Sequence, residues 1–207
     1  MYSKEIEAHK KTLRISDAQR DILVGLMLGD GHLETQNNGK TYRLKVEQSA
    51  NKAEYVQWLY KSFENFVLNK PKSKEKIRNG VVTENIWFST LSHGSFRFYA
   101  QQFYVNGKKV IPKIIGKLLT PLSMAVWFMD DGSIKSKFHR AKIINTQCFA
   151  KKEVLLLIKI LKDKFKINAK LREQKDGYQI YIISESINNF RKLVEEYIID
   201  SMRYKLD

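Results

Sequence analysis

Two stretches of the chain are apolar at almost every position. Residues 22–33 read ILVGLMLGDGHL and residues 122–134 read LSMAVWFMDDGSI. A helix that is apolar all round belongs inside a protein, so both runs are expected as buried helices. Each stops at an aspartate followed by glycine, Asp30-Gly31 and Asp131-Gly132. Ser16 and Gln19 make a capping box before the first run, which predicts a helix over about 17–29. Thr120 as N-cap and Pro121 at the first helical position predict the second, over about 121–130.

Between the two runs the period changes. Tyr42, Leu44 and Val46 alternate with Arg43, Lys45 and Glu47, which predicts a half-buried strand over 42–50. Asn51 with Glu54 is expected to cap a helix through about Val67, with Tyr55, Trp58, Leu59 and Phe63 on one stripe. Residues 74–90 read as a hairpin turning at Asn79-Gly80. Ser92 or Ser95 is expected to open a helix through Val105. Residues 105–120 read as a connector.

Then the order repeats. A strand is expected over 141–149 and an amphipathic helix over 151–165. A hairpin over 168–184, with Asp176-Gly177 at its tip, and a last helix over 186–199 complete it. Asp30 and Asp131 stand 101 residues apart. That period is too long for a solenoid unit. It suits two similar half-domains about a pseudo-twofold axis, matched to a nearly twofold-symmetric partner such as duplex DNA. The expected division is an N-terminal extension over 1–15, a first half over 16–104, a connector over 105–119 and a second half over 120–207.

Charge narrows the partner. The 207 residues carry 37 Lys+Arg against 22 Asp+Glu, a net charge of +15, and 43% hydrophobic residues suffice for a core. That much self-repulsion points to a polyanion, nucleic acid first and an anionic membrane surface second. The lone cysteine, Cys148, excludes a disulfide framework and a Cys-rich zinc site, and is expected as a small apolar residue beside a strand. The charged start, MYSKEIEAHKKTLR, is unlike a signal peptide, and Glu5 and Glu7 argue against a transit peptide. The run 154–161, VLLLIKIL, is too short to span a bilayer. The chain therefore reads as soluble and intracellular, with no membrane partner.

A carboxylate at a helix C-terminus faces the negative end of the helix dipole. Asp130 beside Asp131 adds like-charge repulsion. The same rule is broken at both repeat positions, which points to function. A divalent cation would offset the dipole and the carboxylates together, and oxygen-only ligands favour Mg2+ over zinc. The bland alternative is a helix C-cap with glycine in the left-handed conformation. Gly25 and Gly29, one turn apart, permit close approach of another helix. The expected partner is the second motif helix, with Ala125 as its small residue, which would bring Asp30 and Asp131 together at one end.

LVGLMLGDG at 23–31 and MAVWFMDDG at 124–132 both resemble the LAGLIDADG motif of homing endonucleases. GKTYRLKVEQSANKAEY, KKVIP, LTPLSMAVWFMDDG, NTQCF and MRYKL extend the resemblance over residues 16–207. The chain is similar to the single-chain, two-motif branch of that family. In the first motif Leu28-Gly29 replaces Asp-Ala, a departure that keeps the final acid.

The resemblance implies an α+β fold of two pseudo-symmetric αββαββα halves. The LAGLIDADG helices would form the central interface and the antiparallel sheets a DNA-binding saddle. It implies Asp30 and Asp131 as metal ligands, with Asp130 and the carbonyls of Gly29 and Asp130 as further ones. It implies one basic residue per active site, Lys109 from KKVIP and Lys205 from MRYKL. Glu47 and Gln147 fall where the family organises water. The implied reaction is a Mg2+-dependent double-strand break in DNA at a long site. Two or three ions would take part, with Mn2+ substituting and Ca2+ binding without supporting cleavage.

DNA would lie on the polar strand faces, at Arg43, Lys45, Lys74, Lys76, Arg78, Lys170, Arg172 and Gln174, reading bases in the major groove or touching phosphates. The implied protein is a monomer, encoded in an intron of an organelle or a bacterium. Rival readings are an RNA maturase of the same fold, which makes intron RNA a further partner, and a non-cleaving DNA-binding regulator.

Overall fold

The computed structural model describes residues 4–78, 80–136 and 139–207; for residues 78, 81, 135, 136, 139 and 140 it describes the backbone only. Asn79 of the expected hairpin turn and the side chain of Arg78 lie outside the described residues. The chain forms two compact units. One comprises Met1–Arg20 and Asp30–Ala100, the other Asp21–Gly29 and Gln101–Asp207.

The first unit holds α1 (Lys4–Thr12) and the start of α2 (Asp17–Leu28). Ser16 Oγ accepts from the Gln19 amide while Gln19 Oε1 accepts from the Ser16 amide, the capping box expected of this sequence. β1 (His32–Glu34), β2 (Arg43–Ser49), β3 (Lys72–Arg78) and β4 (Val81–Ser89) form one antiparallel sheet in the order β1-β2-β4-β3. Leu44, Val46 and Phe88 turn to its core side, where Tyr55, Val56 and Leu59 of α3 (Ala53–Ser62) are buried as well. Asn51 does not cap α3. It lies in a 3-10 turn over Ala50–Lys52, and the N-cap is Lys52. The helix also stops at Ser62, and a second 3-10 turn at Glu64–Phe66 replaces its expected last turn.

Neither Ser92 nor Ser95 supplies the cap of the next element. His93 does, its Nδ1 accepting from the Ser95 amide at 3.2 Å, before a 3-10 turn at Gly94–Phe96 and α4 (Arg97–Phe103). An amide N–H can only donate, so Nδ1 is the acceptor and Nε2 carries the proton. That Nε2 lies 3.1 Å from the carbonyl oxygen of Lys10 and ties α1 down. α1 buries none of its residues, so it depends on this bond and on the one from His9 Nε2 to the Asn65 carbonyl, 2.9 Å long.

The second unit repeats the pattern. Residues expected as a connector fold into a tight hairpin, β5 (Tyr104–Val105) and β6 (Lys108–Lys109), and a short helix α5 (Ile115–Leu118). Asn106 and Gly107 both have positive φ, 51° and 75°. Asn-Gly in that conformation is the preferred two-residue hairpin turn, a signal present in VNGKK but read as loop. α6 (Pro121–Asp131) begins at Thr120 with a capping box to Ser123. β7 (Gly132–Ser136), β8 (His139–Asn145), β9 (Ala169–Gln174) and β10 (Gly177–Ile182) form the order β7-β8-β10-β9, the same topology as the first sheet. α7 (Lys151–Phe165) buries Val154, Leu157 and Leu161. α8 (Ile187–Val194) is shorter than expected and gives way to 3-10 turns at Glu195–Tyr197 and Asp200–Lys205. Cys148, expected as a small apolar residue beside a strand, lies exposed in the turn that follows β8.

Among the described residues, no helix is long and apolar enough to cross a membrane.

Candidate functional site

The two apolar runs are α2 and α6, and they end differently. α2 stops at Leu28, leaving Gly29 and the exposed Asp30 in a turn. α6 runs through Asp131, with Asp130 buried. Gly132, the C-cap, has φ −70°, and Gly31 is not among the glycines of positive φ. The left-handed cap is thus excluded as the reason for Asp131-Gly132. Space is the reason at Gly132: a Cβ there would stand 2.4 Å from the Phe128 carbonyl oxygen.

Gly25 and Gly29 serve close packing against α6. A Cβ on Gly25 would lie 2.6 Å from both the Ser123 carbonyl oxygen and Val126 Cβ, and one on Gly29 would meet Asp130. The partner is the expected helix, but the nearest atoms belong to Ser123 and Val126 and not to Ala125.

Both lysines of the sequence reading reach a helix C-terminus. Lys109 Nζ donates to the Gly29 carbonyl at 2.6 Å. Lys205 Nζ, from the 3-10 turn Asp200–Lys205, donates to the carbonyls of Phe128, Met129 and Asp130. The Phe128 carbonyl also accepts from the Gly132 amide, whereas the others lie past the last donors of their helices, and a cation there complements the dipole. Lys109 is the last residue of the hairpin that turns at Asn106-Gly107, paired there with Tyr104.

Each aspartate has an amide neighbour that the sequence reading missed. Gln48 Nε2 donates to Asp30 Oδ2 at 2.9 Å, and Lys52 Nζ donates to Gln48 Oε1 at 3.0 Å. In the other unit Asn145 Nδ2 donates to the Asp131 carbonyl at 2.9 Å, and Gln179 Nε2 donates to Asn145 Oδ1 at 2.7 Å. The available signal was a polar residue at a core-facing strand position, Gln48 after Leu44 and Val46.

Asp30 and Gln48 open onto a cavity of about 440 Å³, lined also by His32, Lys45, Glu47 and Asn85. Glu47 sits on the outward face of β2 and is tied there. It accepts from Lys74 at 2.7 Å and from Asn85 at 2.8 Å, with Lys76 at 3.7 Å. Burial pushes its carboxyl pKa up, but those hydrogen bonds and the charges of Lys74 and Lys76 outweigh it, and the net shift is downward. Lys45 and Lys74 also stand about 6 Å from the Trp87 ring, 6.0 and 5.9 Å to its centroid. Gln147 lies in the turn after β8, packed under Gly177.

The strand register gathers the other polar candidates. Lys72, Lys74 and Lys76 of β3 pair with Trp87, Asn85 and Thr83, which puts Lys74 and Lys76 on one face with Lys45 and Glu47. Arg43 lies on that face too and pairs with Glu34 at 2.7 Å. In the second sheet Lys170, Arg172 and Gln174 share the face of Gln179 and Asn145.

Among the described residues, no three His, Cys, Asp or Glu side chains gather as a metal-binding group. What each motif end offers to Mg2+ is hard oxygen, the Asp30 carboxylate next to the Gly29 carbonyl at one and the Asp131 carboxylate next to the Asp130 carbonyl at the other. The Oε1 of Gln179 is buried without a hydrogen-bond partner. An orphaned acceptor two hydrogen bonds from Asp131 suits an ordered water, as a hydrated ion would bring.

Residues 20–190 match the model of the LAGLIDADG DNA endonuclease family. The chain is 34% identical to a probable intron-encoded endonuclease 1 of Wickerhamomyces canadensis, over 99% of this chain and 90% of that one. It is 33% identical to the cytochrome b mRNA maturase bI2 of Debaryomyces hansenii, over 90% of this chain and 72% of that one. Among solved structures it superposes on the homing endonuclease I-WcaI bound to its DNA recognition sequence with a TM-score of 0.94. There the identity is 30%, over 99% of this chain and 93% of the other.

Proposed function

The chain belongs to the LAGLIDADG DNA endonuclease family, and from that premise we propose that it is a site-specific homing endonuclease, making a Mg2+-dependent double-strand break at a long DNA site. The observation that carries the proposal is the twofold recurrence of one arrangement: an apolar helix with an acid at or just past its C-terminus, and a lysine donating to a main-chain carbonyl there. Asp30 and Asp131 are the proposed metal ligands, with the Gly29 and Asp130 carbonyls as further donors and Asp130 itself as a subsidiary one. When bound, Mg2+ supplies charge neutralisation and an activated water for phosphodiester hydrolysis, and Mn2+ can replace it.

The chain's own residues do the rest. Gln48 orients the Asp30 carboxylate, and Asn145 with Gln179 braces the end of α6. Lys109 and Lys205 face the negative charge that develops on the phosphate, as preorganised donors. Glu47 holds Lys74 and Lys76 in place on the first sheet's polar face. That face, with Arg43 and Lys45, and the face of Lys170, Arg172 and Gln174 in the second unit, is where DNA would lie, with Arg78 kept as a further DNA contact on the strength of the sequence alone. We place Gln147 beside the second aspartate as a water-organising residue, and take the protein to act as a monomer.

A second reading has its own support, since a relative of 33% identity is named a maturase. Binding of intron RNA by the same chain, encoded in an organellar intron, accords with that name.

The deciding experiment is double-strand cleavage of a partly randomised site library with Mg2+ and, separately, with Ca2+. Wild type is compared with Asp30→Asn and Asp131→Asn. One sequence cut by wild type alone, and only with Mg2+, supports the proposal. A wild type that binds a site and cuts nothing with any metal ends it in favour of the maturase or the regulator.

A further inference from the structure

Lys142 is 1% exposed, on the core side of β8 beside Ile144 and Ile182. An ammonium group there is costly, and an apolar side chain of similar size would serve packing better. Its Nζ donates to the main-chain oxygen of Asp207 at 3.0 Å. Arg191 of α8 approaches the same residue from outside, with Nη2 3.7 Å from Asp207 Oδ1. Burial holds the pKa of Lys142 below that of an ordinary lysine, with the charge of Asp207 opposing and Arg191 reinforcing.

The segment it grips is the one that carries Lys205. Asp200–Lys205 is a 3-10 turn, a form with weak hydrogen-bond geometry. Met202 and Leu206 bury their side chains, and Lys205 itself is buried against the end of α6. Two residues extend about 7 Å at most, so fixing Asp207 confines Lys205 closely.

We infer that Lys142 is a positioning residue: from inside the sheet it anchors residues 200–207 through the Asp207 main chain, and thereby holds Lys205 at the carbonyls that end α6. The inference rests on the reading of Lys205 as an active-site lysine. It explains why a charge is kept in the core, at a place remote from the polar strand face.

The test compares Lys142→Met with wild type. The expected variant melts at or above the wild-type temperature. It binds target DNA in Ca2+ within about twofold of wild type, yet cuts about tenfold or more slowly in single turnover with Mg2+. Amide exchange over 202–207 should quicken about tenfold while β8 and β10 stay protected. Unchanged exchange over 202–207, or quicker exchange with a wild-type cutting rate, overturns the inference. Should Lys142→Met fail to fold, deletion of Asp207 removes the acceptor and leaves the sheet intact. The same paired changes are expected of it, and wild-type exchange and cutting would again overturn the inference. Lys205→Met, run alongside, separates the two failures. If it cuts at the wild-type rate, the reading of Lys205 is wrong and the inference falls with it. If it is slow and Lys142→Met is not, only the inference falls.

Discussion

Lys109 Nζ stands 2.6 Å from the carbonyl oxygen of Gly29, at the end of an apolar helix that begins 12 residues earlier at Asp17. The lysine comes from a six-residue hairpin far along the chain, and Lys205 repeats the contact at the end of α6. In each case a cation covers carbonyls that the helix cannot satisfy itself. The same ammonium is placed one residue from the acid that ends the motif. Structure and proposed chemistry therefore call on the same side chain, and they can be separated by measurement.

Lys109→Met should cut target DNA at least about 10²-fold more slowly in single turnover, the usual scale for losing one preorganised donor. Loss of the helix-end contact should cost only about 1 kcal/mol of stability. DNA affinity in Ca2+ should stay within about threefold, since other cations dominate phosphate contact. A variant that loses affinity and rate in parallel would make Lys109 a DNA-binding residue and nothing more.

Helix propensity and packing make opposite predictions at Gly25. Alanine is favoured in a helix by about 1 kcal/mol. Yet a Cβ there would stand 2.6 Å from the Ser123 carbonyl oxygen, a backbone atom that cannot swing away. Overpacking of this kind costs about 1–3 kcal/mol, so Gly25→Ala should lower the urea midpoint. Gly116 is the control. Its nearest neighbour would be the Ile160 side chain at 3.6 Å, and Gly116→Ala should be neutral or stabilising.

These contrasts show how much of the fold was legible. Capping chemistry at Ser16–Gln19 and Thr120–Pro121 predicted the starts of α2 and α6, because the signals are local. The repeat and both motif acids could be read for the same reason. The hairpin that carries Lys109 was written as Asn-Gly but hidden by the basic residues around it. Gln48 left one trace, a polar residue at a core-facing strand position, whereas Asn145 and Gln179 were invisible, since their importance depends on which residues oppose them across the sheet. His93 as a helix cap, and Lys142 in the core, contradict the usual residue preferences, and no local pattern announces either.

Glu47 offers a pH test. Its carboxyl pKa is held below the ordinary value, so its contribution is complete above the ordinary glutamate range and is lost as pH falls through the depressed value. Wild type should therefore lose stability faster than Glu47→Gln on acidification through that window. The difference should be small, because Lys74 and Lys76 are more than one-third exposed. Chemical denaturation of both proteins at a series of acidic pH values measures it. Parallel curves would show that the cluster does not act through the Glu47 charge.

His93 makes the clearest prediction, because its two nitrogens have fixed and opposite roles. Burial lowers its pKa, the Lys10 carbonyl opposes the shift, and the charges of Arg14 and Lys10 add to it. A depressed histidine binds fewer protons folded than unfolded, so stability falls as pH drops from the ordinary value of about 6.5 toward the lower folded value. Protonation would also turn Nδ1 into a donor facing the donor N–H of Ser95. The bond from Nε2 to Lys10 is then left on a ring that no longer caps its own turn. Helix α1, which buries none of its residues, should loosen first. Amide exchange in 4–12 should quicken on going from neutral pH to mildly acidic pH, after correction for the intrinsic rate, while β2 and β4 keep their protection. In His93→Asn, which keeps an acceptor for the Ser95 amide but cannot titrate, exchange in α1 should be fast at neutral pH already, because the Lys10 contact is gone, and should then show no step with pH. A step that survives in His93→Asn would assign the pH response to another group.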